Sequence, residues 1–148
     1  MNFGLSQEEA KSRAKEILTI VGISPEAMSR FPHQFSGGQR QRICIARAIV
    51  MEPKLIVADE AVSALDVSVQ KQVLDLFLDI RQRFSLAMLF ITHDLRVAAQ
   101  ICDRVIVMQH GKIVEQGRTT DVYNNPQHQY TKDLLAAAPG RDVKFSQL

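Results

Sequence analysis

The chain has 148 residues, enough for one domain and too few for two full ones. Hydrophobic residues make up 46% and charged residues 23%, which excludes a disordered tail, a collagen-like fibre and a low-complexity linker. Lys and Arg exceed Asp and Glu by only two, and a net charge of +2 is too small to argue nucleic-acid binding from bulk charge. Cys44 and Cys102 stand far apart with no C-x-x-C pairing, so reduced thiols in a cytosolic compartment fit better than a disulfide framework or a zinc site. The start of the chain turns acidic at Glu8-Glu9 before any apolar run, so no signal peptide is expected. Apolar stretches such as Leu86 to Ile91 fall well short of the ~18–20 residues that a spanning helix needs.

In chain order, Ser6-Gln7-Glu8-Glu9 matches a capping box and predicts a helix with Ala10, Ala14, Ile17, Leu18 and Val21 at helical spacing, stopping at Gly22. Ser24-Pro25 reads as the N-cap and first position of a short helix through Arg30, broken by Pro32. A loop through His33, Gln34 and Phe35 leads to Gly37-Gly38. Gln39 to Met51 is helical, with Ile43, Ala46, Ile49 and Val50 on one stripe, Cys44 expected in the core and Arg47 expected to pair with an acid. Leu55-Ile56-Val57-Ala58 is a continuous apolar run, the pattern of a strand buried on both faces. A helix over about Ser68–Phe84 and a second buried strand over Ala87–Ile91 follow. Leu95 to Ile101 reads as helix and Arg104 to Met108 as a strand. His110 and Gly111 turn that strand into Lys112–Gln116 as a hairpin. This alternation predicts an α/β fold, a parallel sheet core flanked by helices. Arg141 to Leu148 lacks pattern.

Three features carry chemistry. The first apolar strand ends in Asp59-Glu60, and ligands of open α/β sheets bind at the carboxyl ends of strands. Asp59 offers a hard oxygen to Mg²⁺ through water, and Glu60 is placed to orient and deprotonate a water. The pair is equally consistent with acids that mark where a strand leaves the core. Ser36-Gly37-Gly38-Gln39 precedes a helix carrying Arg40 and Arg42, where two glycines permit close backbone approach and the helix start favours an anion. Alone it also reads as a plain loop with a Ser N-cap. Thr92-His93-Asp94 follows the second strand, and His93 there can donate to a phosphate oxygen in the same cleft.

Taken in order, these pieces resemble the ATP-binding-cassette (ABC) ATPases. Phe35-Ser36-Gly37-Gly38-Gln39 looks like the family's signature with Phe in place of Leu, Leu55 to Asp59 like Walker B, and Glu60 like the catalytic glutamate. Ser63-Ala64-Leu65-Asp66 looks like the D-loop and His93 like the switch histidine. The resemblance implies a P-loop NTPase cassette that uses ATP and Mg²⁺ and dimerises head to tail with a second nucleotide-binding domain. Ser36, Gly37, Gly38 and Gln39 would then meet the partner's ATP, and Asp66 would report across the interface. Transmembrane permease subunits and, indirectly, a periplasmic or extracellular peptide-binding protein are the further partners implied, with no nucleic acid. The location implied is the cytoplasmic face of a bacterial inner membrane.

The 148 residues contain no G-x-x-x-x-G-K-[ST]: Gly111-Lys112 is followed by Ile113, which fails. The chain therefore looks like the C-terminal half of an ABC ATPase domain. Residues 1–35 would be a remnant of the helical subdomain, 36–118 the later part of the core and 119–148 an extension. No group here would hold β- and γ-phosphates in cis, so the isolated chain is expected not to hydrolyse ATP. Asn125-Pro126-Gln127-His128-Gln129-Tyr130-Thr131-Lys132-Asp133-Leu134-Leu135 and Pro139 resemble the tail of dipeptide and oligopeptide importers, a branch that includes glutathione importers, although Gln129 stands where Pro is usual. The alternatives are a truncated or degenerate module acting only on a partner, and an ABC ATPase that works outside transport.

Overall fold

Two reciprocal caps set the opening helices. Ser6 accepts from the Glu9 amide at 3.3 Å while its own amide donates to Glu9 Oε2 at 2.7 Å, and α1 runs Gln7–Ile20 from that cap. This is the computed structural model of the chain, and it describes residues 4–137. Pro139 and the stretch from Arg141 lie outside the described residues. The chain divides into two compact units, Met1–Leu89 and Phe90–Leu148.

In the first unit, α1 buries Ile17 and ends at Val21, and Gly22 takes a left-handed φ of +71°. The stretch predicted as a second helix is a single 3-10 turn over Pro25–Ser29, and another follows over Pro32–Gln34. His33 stacks on Phe31 with ring centroids 5.9 Å apart. Helix α2, Gly37–Ile49, begins two residues earlier than its pattern predicts, because Ser36 rather than a later residue caps it. Its buried residues are Ile45, Ala46 and Ile49; Cys44, expected inside, is exposed because its position falls on the opposite side of that stripe. No ion pair of Arg47 is present among the described residues, where Arg13 instead pairs with Glu52.

Strand β1, Leu55–Asp59, leads through a turn to α3, Val67–Arg83, and then to β2, Ala87–Ile91. The two strands form a two-stranded parallel sheet, the expected β-α-β unit. Full burial of these strands does not hold. Ile56 and Ala58 are buried at 7% and 5%, while Leu55 and Val57 on the other face are 53% and 57% exposed. In β2, Leu89 and Ile91 are also exposed. A continuous apolar run signals cover on both faces, and the described residues cover only one. Helix α3 supplies much of the first unit's core through Val73, Leu74, Leu76, Phe77 and Ile80.

The second unit holds α4 (Leu95–Ile101), the antiparallel hairpin β3–β4 (Arg104–Gln109 and Lys112–Arg118), α5 (Thr119–Asn124) and α6 (Gln129–Ala137). Gln109 pairs with Lys112 around His110 and Gly111, at φ of +49° and +75°, the two left-handed residues of a type I′ turn. A bulge between Val107 and Met108 breaks the register. The Thr119 hydroxyl donates to the Cys102 carbonyl at 2.5 Å, and the Tyr123 hydroxyl donates to the Leu95 carbonyl at 2.6 Å. Burial pushes the Tyr123 phenol well above its ordinary range. Glu115 of β4 accepts from the amides of Gln127 and His128 at 2.8 and 3.1 Å, and His128 Nδ1 accepts from the Tyr130 amide at 3.2 Å, so a carboxylate and an imidazole together start α6.

Candidate functional site

The Ser36–Gln39 turn is built by local chemistry. Ser36 Oγ accepts from the Gln39 amide at 3.2 Å, and the Ser36 amide donates to Gln39 Oε1 at 3.0 Å. The Arg40 amide reaches the Ser36 carbonyl at 2.9 Å. Of the four leading amides of α2, those of Gly37 and Gly38 are then the two with no acceptor among the described residues. Gln39 thus does capping work as well as standing in the motif. The Ser36 hydroxyl, an acceptor in the cap, keeps its hydrogen for donation outward.

Arg42 does not join that anion-favouring end. Its Nη1 donates to the Val21 carbonyl at 2.9 Å, and its Nη2 lies 3.4 Å from Gln72 Oε1. Arg42 therefore closes the C-terminus of α1, and a Cβ on Gly22 would fall 2.9 Å from that guanidinium. Sequence periodicity carried no sign of this pairing, because it depends on how two helices lie against each other.

Asp59 ends β1 and is exposed. Glu60 follows at φ +48°, a left-handed conformation that L-residues seldom adopt and that recurs at functional sites. Its carbonyl accepts from the Ser63 amide and hydroxyl at 3.3 and 3.0 Å, which closes the turn toward Asp66. Asp66 Oδ1 accepts from the Val69 amide at 3.0 Å and so caps α3. This loop meets the Ser36–Gln39 turn. A Cβ on Gly37 would lie 3.7 Å from Leu65 Cδ2, and one on Gly38 would lie 2.5 Å from Val69 Cγ1. The first unit thus brings Gly37 and Gly38 together with the residues flanking Asp66. The close fit at Gly38 was invisible in the sequence, where the glycine suggested only ligand approach.

In the second unit, His93 is exposed between β2 and α4. Its neighbours are firmly set: the Asp94 amide donates to Thr92 Oγ1 at 3.0 Å, and Asp94 caps α4 by accepting from the Arg96 amide at 2.8 Å. The Arg96 guanidinium grips Asp94 through both carboxylate oxygens, at 3.2 and 2.9 Å, and holds its carboxyl below the ordinary range. Among the described residues no three His, Cys, Asp or Glu side chains gather where a metal ion could bind. Asp59 alone fits a hard cation whose remaining ligands come from water and phosphate. The two open amides at the start of α2, on residues that themselves carry no side chain, fit a phosphate. No helix among the described residues is long and apolar enough to cross a membrane.

Residues 2–63 match the family model described as ABC transporter. The glutathione import ATP-binding protein GsiA of Pectobacterium atrosepticum is 52% identical over 141 residues, which are 95% of this chain and 23% of that protein. The proteins of the same name from Escherichia coli and Shigella flexneri are each 54% identical over 135 residues, 91% of this chain and 22% of theirs. The chain thus spans less than a quarter of the length of the curated relatives it matches. An ATP-binding cassette of an ABC transporter, solved in its ADP conformation, superposes with a TM-score of 0.76 at 24% identity over 93% of this chain and 54% of that one, a likeness of fold. The matched model and the extent of identity make the chain similar to a segment of the ATP-binding proteins of ABC transporters, and its fold is that of an ATP-binding cassette.

Proposed function

We propose that this chain is part of the ATP-hydrolysing subunit of an importer of glutathione or short peptides, and that it acts on nucleotide only together with a second cassette. Bound Mg-ATP would supply the reactive phosphoanhydride and the cation that spreads its charge. The observation that carries the reading is the Ser36–Gln39 turn, whose two open glycine amides and outward hydroxyl stand beside the Asp66 loop. Those amides and the hydroxyl would bind the γ-phosphate of ATP held by the partner domain. Asp59 would hold Mg²⁺ through water, Glu60 would orient the attacking water and take its proton, and His93 would donate to a phosphate oxygen. Asp66 would meet the partner across the interface.

The names of the relatives support the glutathione class of substrate, which permease subunits and a binding protein, rather than these residues, would select. The proposed location is the cytoplasmic face of a bacterial inner membrane. We read 1–35 as helical-subdomain remnant, 36–118 as the later core and 119–148 as importer-type extension. Because the 148 residues contain no phosphate-cradling G-x-x-x-x-G-K-[ST], the isolated chain should show no ATP turnover and no tight Mg-ATP binding. Calorimetric titration of the purified chain with Mg-ATP checks this; binding in the micromolar range, or hydrolysis above that of a Glu60→Gln control, would refute it. Added to a complete cassette carrying the phosphate-binding loop, the chain should associate only in the presence of ATP.

A further inference from the structure

We infer that Val69 is a positioning residue that locks the Ser36–Gln39 turn to the Asp66 loop, so that both present themselves to a partner cassette as one rigid piece. The inference deepens the proposed function and rests on its reading of those two segments as partner-facing. Val69 is held at both ends. Its amide donates to Asp66 Oδ1 at 3.0 Å, and its side chain fills the space a side chain on Gly38 would need, with Cγ1 2.5 Å and Cβ 3.9 Å from that absent Cβ. With Val69 occupying the space over Gly38, the first turn of α2 is hindered from sliding over the first turn of α3. Leu65, just before Asp66, lies beside Gly37, with Cδ2 3.7 Å from where a Cβ on that glycine would sit, and adds a second point of support.

The residue type suits the task. Valine is branched at Cβ and holds one χ1 rotamer in a helix, so its methyls act as a fixed spacer rather than a flexible filler. Val67, two positions earlier in the same turn, is 84% exposed and makes no such contact, which separates the role from a general preference for valine in this turn. A displacement of Asp66 moves the Val69 amide, hence the Val69 methyls, hence Gly38 and the two open amides of α2. The coupling runs through one residue with two discrete attachments, a physical link rather than mere proximity.

The test compares Val69→Ala, Val69→Thr, Gly38→Ala and the Gly38→Ala/Val69→Ala pair in the full chain. Amide hydrogen exchange is read over 36–40 and 66–70, and ATP-dependent association is read with a complete, hydrolysis-deficient cassette. Val69→Ala should speed exchange about tenfold in 36–40, across the contact, as well as in its own turn. Val69→Thr, which keeps the branched shape, should stay near wild type. Gly38→Ala should weaken association about tenfold or more, and adding Val69→Ala should recover most of it, the signature of a direct contact in a double-mutant cycle. The inference is overturned if Val69→Ala alters only 66–70, if Val69→Thr behaves like Val69→Ala, or if the two changes simply add. Should Gly38→Ala fail to fold, the Val69 pair decides alone. A wild-type chain that binds no cassette while the exchange pattern holds would remove the proposed function and leave the mechanical link standing.

Discussion

Ser36 serves a cap and a candidate ligand site with one hydroxyl, and the two duties separate by substitution. Ser36→Ala removes the acceptor for the Gln39 amide and should cost about 1 kcal/mol of stability, measured by urea unfolding. Ser36→Asn restores a good cap, so stability should return while ATP-dependent association with a second cassette does not. Glu60 gives a second test at this scale. At φ +48° any residue with a Cβ pays for the left-handed conformation, so Glu60→Gly should be more stable than Glu60→Ala by about 1 kcal/mol. Both variants lack the carboxylate, and the comparison therefore isolates backbone strain from chemistry.

At the scale of elements, the second unit attaches its last helix through Glu115. The nearby Thr131 hydroxyl, followed by the amides of Gln127 and His128 and the charge of His128, holds the Glu115 carboxyl below its ordinary range, while burial opposes them. Thr131 itself is 3% exposed and makes no hydrogen bond of normal geometry among the described residues, so its influence is that of a nearby dipole. Because the folded pKa is depressed, this attachment stabilises α6 at pH values above the ordinary carboxyl value of 4.5 and fades as pH falls through the lower folded value. Exchange at the Gln127 and His128 amides should therefore quicken below about pH 4.5 beyond its intrinsic rate. In Glu115→Gln that acid-induced gain should vanish, with protection already reduced at neutral pH. Gln129, standing where the importer tail usually has Pro, donates from Nε2 to Asp133 at 2.8 Å, and thereby supports the first turn of α6.

At the scale of the whole molecule, the exposed face of β1 is an apolar surface that bears on solution behaviour. Leu55 and Val57 present large apolar side chains on a two-stranded sheet, a combination that favours pairing with another chain. Sedimentation velocity should show association that grows with protein concentration. Val57→Lys, which leaves the buried Ile56 and Ala58 untouched, should reduce it without lowering the melting temperature by more than a few degrees. Unchanged association in Val57→Lys would place the contact elsewhere.

Most of the elements were legible in the sequence. The helix start at Ser6, the β2 and α4 spans, and the His110-Gly111 turn follow from side chains and backbone groups within about four residues of one another, and such local rules need no tertiary frame. The order of Ser36–Gln39, Asp59-Glu60, Asp66 and His93 along the chain was equally plain, and it pointed to the family before any coordinate did. Tertiary structure alone decided that Arg42 turns to Val21, that Val69 fills the space beside Gly38, that Cys44 faces outward and that β1 is covered on one side. Each of these depends on how residues more than twenty positions apart come to lie against one another, or on which face of an element finds cover. A pattern of apolar and polar letters records the period of an element, while its rotation and its neighbours are set only when the elements pack.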